Sequence, residues 1–124
     1  MKREGIETEA APKLTLALSQ GVVAGGFLFV SGQVPINPET GQVPVDFAEQ
    51  VRQALNNVQA IAHEANADLS NATRVSVYLT DLANFDQMEA VYKSYFSAPY
   101  PARTTTGVKI NGYDIEVDAI IPIQ

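Results

Sequence analysis

Three side chains stand out for the chemistry their types and spacing allow: Arg103, Glu116 and Asp118, within the stretch PYPARTTTGVKINGYDIEVDAI. Arginine presents a planar fork of N–H donors that matches a carboxylate in two parallel hydrogen bonds. Arg103 follows Pro101-Ala102 at the start of a predicted strand, where its backbone is well held. It either grips a carboxylate ligand or is a structural arginine tied to Glu116 or Asp118. Those two acids lie two residues apart on a predicted strand, so they share a face. Mutual repulsion and burial raise the pKa of one member of such a pair, which makes a proton shuttle near neutral pH. The alternative is a solvated or ion-paired strand edge. Ser31, in SGQ, is either a pocket hydroxyl or a plain strand-end serine.

Other chemistries find little support. The sole histidine, His63, falls between the apolar positions of a predicted helix and is expected to face solvent. It has no partner histidine at metal-ligand spacing, so no metal is expected. The chain has no cysteine, which rules out disulfides and thiol chemistry. GVVAGG and SGQVPINPETG match neither a phosphate loop nor a dinucleotide fingerprint.

Positioning these residues falls to a regular series of elements. Gly25-Gly26 between two apolar runs predicts a hairpin, and NPETGQVP a surface loop. Asp46 with Glu49 reads as a capping box. Behind it Phe47, Val51, Leu55, Val58, Ile61, Ala62 and Ala65 recur at steps of three and four, which predicts an amphipathic helix. Val75, Val77 and Leu79 alternate with Arg74, Ser76 and Tyr78 as in a strand. Asn84 with Gln87 reads as a second capping box, opening a helix with the stripe Phe85, Met88, Val91, Tyr92, Tyr95 and Phe96; Pro99 and Pro101 bar its continuation. Asn111-Gly112 between alternating runs predicts a closing hairpin. Two amphipathic helices covering one face of a single sheet give an α+β fold with some parallel pairing. The other face is expected to carry Arg103, Thr105, Glu116 and Asp118 among apolar neighbours, a mixture that suits self-association.

The 124 residues, 46% hydrophobic and 18% charged, suit one domain over 1–124 with a real core. The formal net charge of −6 and the scattered Lys and Arg weigh against nucleic acid. No run approaches the roughly 20 apolar residues of a membrane span. The N-terminus lacks the apolar run of a secretory signal. A cytoplasmic protein is expected.

Taken together, FVSGQVPINPETG, VSVYLTDLANFDQMEAVYKSYF, YPART and IEVDAI resemble the RidA/YjgF family of imine and enamine deaminases, over about Ser19 to Ile121. The resemblance implies a chorismate-mutase-like fold and a homotrimer whose sheets form a central barrel, with ligand clefts between subunits. It implies that Arg103 grips the substrate carboxylate and that Glu116 assists attack by water. Ser31 would line the pocket with the Gly32 backbone nearby, and Thr105 stands where the family often has a cysteine whose backbone meets the ligand. The implied reaction is hydrolysis of 2-aminoacrylate or a related 2-imino acid to a 2-keto acid and ammonia. It needs no cofactor, because the imine carbon is already electrophilic.

This sequence departs from the family pattern at Leu18, where a tyrosine is usual, at Glu89, where an asparagine is common, and at Gly107, where an acid is usual. Leu18 makes the pocket wall greasier and favours bulkier or more apolar imino acids. Three functions compete on this footing: an imino-acid deaminase, a trimeric module that binds small carboxylates without turnover, and a ribonuclease or translation inhibitor. The net charge counts against the last.

Overall fold

The computed structural model describes residues 2–124, and every structural statement here concerns those residues. Six strands form a mixed sheet in the order β1-β2-β3-β6-β4-β5. They are β1 (Glu4–Ile6), β2 (Gly21–Ala24), β3 (Phe27–Gln33), β4 (Arg74–Leu79), β5 (Ala102–Gly107) and β6 (Ile115–Pro122). Helices α1 (Phe47–Glu64) and α2 (Phe85–Lys93) lie on one face, giving the expected α+β arrangement. β1, a strand of three residues, has no alternation to reveal it in the sequence.

The core follows from the two periodicities. Leu28, Val30, Val75, Val77, Leu79, Ile115, Val117, Ala119 and Ile121 point to the helix side and are buried. They meet Val51, Leu55, Val58 and Ile61 of α1 and Met88, Val91 and Tyr92 of α2. Each such Leu, Ile or Val contributes about 1.5–3 kcal/mol by leaving water. The Gly25-Gly26 hairpin forms as read: both glycines have positive φ, 61° and 84°, and Ala24 pairs with Phe27.

The helix starts divide. Asp46 accepts from the Glu49 amide at 3.1 Å, but the reciprocal half of the box is not made, because the Glu49 carboxylate is taken by Arg52. Asn84 makes no capping bond. A 3₁₀ turn over Leu82–Asn84 leads straight into α2, and its cap is Asp81, which accepts from the Ala83 amide at 2.9 Å. α2 ends at Lys93, well before Pro99.

The closing hairpin is the main correction. Asn111-Gly112 does make a turn, with Gly112 at φ 92°, yet β5 and β6 do not pair. β4 lies between them, parallel to β5 and antiparallel to β6. The turn signal is local, whereas the buried β4 gains six paired residues along each edge by sitting between the two. The connecting loop wraps its end: the Val108 amide donates to Leu79 O, and the Thr80 amide to Asp114 O.

Candidate functional site

Register decides which way each candidate side chain points. Arg103 pairs with Val75 and Thr105 with Val77, so both share the helix-covered face. Glu116 pairs with Tyr78 and Asp118 with Ser76, on the open face. The expectation that all four share one face is therefore wrong for Arg103 and Thr105. A parallel β5, rather than a hairpin partner of β6, sets their parity. Arg103 and Glu116 stand on opposite sides of the sheet with β4 between their strands, two strand spacings of about 4.8 Å apart.

Nor is Arg103 tied to Glu116 or Asp118. Its Nη1 donates to Glu89 Oε1 of α2 at 2.7 Å. Its guanidinium carbon lies 4.6 Å from the centre of the Tyr92 ring and 5.7 Å from that of Phe85, close enough for cation–π attraction. The Tyr92 hydroxyl is buried without a hydrogen-bond partner. Arg103, Glu89, Tyr92, Lys93, Tyr100 and Pro101 line an open cavity of about 430 Å³. Thr105, half-buried, follows Arg103 on the same face.

The second group gathers around Glu116. The β3–β6 register shifts between Val30 and Gln33, a bulge of the kind that re-aims side chains beside sites. Gly32, inside it, presses on Glu116: a Cβ at Gly32 would lie 1.9 Å from Oε2. Ser31 Oγ donates to Ser19 O at 2.5 Å and the Ser31 amide to Gln20 O at 2.9 Å, which brings Leu18 and Ser19 to the same end of β3. Leu18, 48% exposed, lines a neighbouring cavity of about 320 Å³ with Ser19 and Lys13. Glu116 and Asp118 line another of about 400 Å³ with Tyr78 and the Val108–Asn111 loop. Burial, then the Asp118 charge, pushes the Glu116 carboxyl above its ordinary range. The Tyr78 hydroxyl donates to Asp118 at 3.1 Å.

One positioning residue escaped the sequence reading. Gln20 is buried; its Oε1 accepts from the Thr8 amide at 2.7 Å, and its Nε2 donates to the carbonyls of Thr8, Ala11 and Pro12. It ties the N-terminal strap to the sheet beside Leu18. A polar residue between Ser19 and a strand carries no local signal of that role.

The family model described as Endoribonuclease L-PSP matches residues 8–123. The crystal structure of the YjgF gene product of Escherichia coli overlays with a TM-score of 0.92 at 34% identity, covering 98% of this chain and 99% of that one. The chain belongs to the RidA/YjgF family. Among RidA/YjgF relatives, a RutC family protein of Sinorhizobium fredii is 43% identical over 123 residues, 97% of this chain and 98% of that protein. The 2-iminobutanoate/2-iminopropanoate deaminase of Escherichia coli K12 is 37% identical over 116 residues, 91% of each. In the present RidA/YjgF chain no group of three or more His, Cys, Asp or Glu is placed to hold a metal among the described residues. No helix among them is long and apolar enough to cross a membrane.

Proposed function

We propose that the chain is a hydrolytic deaminase of 2-imino and enamine acids, working as a homotrimer in whose clefts Arg103 of one subunit meets Glu116, Ser31, Gly32 and Leu18 of the next. One observation carries this reading. Arg103 and Glu116 open on separate cavities on opposite sides of one sheet, so a second copy is what would bring an arginine cavity onto a glutamate cavity. The open face supports association, since Phe27 and Phe29 of β3 point out from it as exposed large apolar residues. The deaminase relative supports the chemistry.

In this reading Arg103 fixes the substrate carboxylate, and orientation lowers the barrier. Thr105 lies beside it on β5, its backbone at the ligand. An enamine first takes up a proton at carbon to become the iminium, the protonated imine. Water attacks the imine carbon and passes a proton to Glu116, giving a tetrahedral carbinolamine. Glu116 returns the proton to nitrogen, the C–N bond breaks as the carbinolamine hydroxyl gives up its proton to Glu116, and 2-keto acid and ammonia leave. A carboxyl held above its ordinary range suits both halves of that transfer. Ser31 and Gly32 shape the wall beside Glu116.

The test generates a 2-imino acid with an amino-acid oxidase and traps it with semicarbazide. The protein is expected to lower semicarbazone formation, while Arg103→Ala and Glu116→Ala do not. Equal trapping with and without the wild-type protein would end the enzymatic reading. A second reading, a carboxylate-binding module without turnover, is favoured by the Glu89–Arg103 pair and by the apolar Leu18. Calorimetry showing tight 2-oxobutyrate binding beside unchanged trapping would select it.

A further inference from the structure

Glu89 sits where a ligand carboxylate would sit, with its Oε1 on Nη1 of Arg103. We propose that Glu89 is a displaceable occupant of the carboxylate seat, and that Lys93, one turn further along α2, receives it when a ligand takes its place. The two residues would then set the affinity and selectivity of the cavity. The inference rests on the reading of Arg103 as a carboxylate-binding group.

Of the paired side chains, the arginine is the fixed one. Its guanidinium lies against Tyr92 and near Phe85, and its side chain is 21% exposed against 44% for Glu89. A pair this open to water is weakly held, so an incoming carboxylate able to take two N–H donors of the fork has the advantage over a glutamate that holds one. Glu89 and Lys93 stand at i and i+4 on α2 and both line the cavity. Glutamate N-terminal to lysine at this spacing is the favourable order for a helical ion pair. Among the described residues Lys93 is in no salt bridge, so it is free to take Glu89. Rotation of one side chain thus exchanges an Arg103–Glu89 pair for an Arg103–ligand pair and a Glu89–Lys93 pair, and no charge is left unpaired.

The test is titration calorimetry of the full-length protein with 2-oxobutyrate, using wild type, Glu89→Gln, Lys93→Met and the double variant, each checked for an unchanged circular dichroism spectrum. Glu89→Gln is expected to bind about five-fold more tightly, the scale of an exposed ion pair. Lys93→Met is expected to bind more weakly in the wild-type background and to make no difference once Glu89 is Gln. Equal weakening by Lys93→Met in both backgrounds would show that the lysine holds the ligand itself, and would overturn the hand-off. Unchanged or weaker binding by Glu89→Gln would overturn the competitor role. Arg103→Ala separates the two levels of the argument. If it abolishes binding while Glu89→Gln changes nothing, only the present inference fails; if it binds like wild type, the carboxylate reading itself fails.

Discussion

Gly32 and Glu116 touch so closely that even a methyl group at position 32 would collide with the carboxyl, its Cβ 1.9 Å from Oε2 and 2.9 Å from Cδ. The glycine is thus part of the glutamate's seating, and the bulge in β3 that contains it aims Glu116.

The first prediction follows. Gly32→Ala obliges the Glu116 side chain to swing away, and it costs activity more than stability. Imine hydrolysis is expected to fall about a hundred-fold, the scale of a misplaced catalytic group. The unfolding free energy is expected to drop by only about 1 kcal/mol. In a Glu116→Ala background the same substitution should cost no further activity, and a double-mutant cycle reads this directly.

Glu116 also sets a pH dependence of stability. Its folded-state pKa is raised, by burial first and Asp118 second, above the ordinary value of 4.5. Below pH 4.5 the carboxyl is protonated in folded and unfolded chains alike, and the stabilisation of the protonated form is fully present. As pH rises through the folded value, the folded chain must ionise a half-buried group, and that stabilisation is lost. Glu116→Gln should therefore be more stable than wild type at pH 7, by about 0.5 kcal/mol after solvent screening. The difference should vanish near pH 4. Urea unfolding at the two pH values checks it.

Gln20 makes a third prediction. Truncation to Ala orphans the Thr8 amide and the carbonyls of Thr8, Ala11 and Pro12. The expected loss is about 1–3 kcal/mol, seen as a lower urea midpoint. The Thr8 amide should exchange with solvent much faster than in wild type.

What the sequence reveals here is what is local or periodic. α1 is legible from the stripe Val51, Leu55, Val58 and Ile61; β4 from Val75, Val77 and Leu79; the first hairpin from Gly25-Gly26. The insertion of β4 between β5 and β6 is not legible, because Asn111-Gly112 reports a turn and says nothing of what lies between the arms. That one topological fact also decides the face of Arg103, since pairing with Val75 turns its side chain toward α2. Arg103, Glu116 and Ser31 stand out in the sequence as candidates by residue type, and Leu18 and Glu89 as departures from a family pattern. The Glu89–Arg103 pair, the Tyr92 ring under the guanidinium and the Gly32–Glu116 contact are long-range packing, which no spacing encodes.

The central claim, that one subunit supplies Arg103 and another Glu116 to each cleft, is tested most directly by mixing two inactive variants. Arg103→Ala and Glu116→Ala chains are unfolded together in equal amounts, refolded and assayed for imine hydrolysis. Subunit sharing predicts recovery of about a quarter of the wild-type rate, because half the clefts receive an intact arginine and half of those an intact glutamate. A mixture as inactive as its two components, with mixed oligomers confirmed by mass spectrometry, would contradict the account.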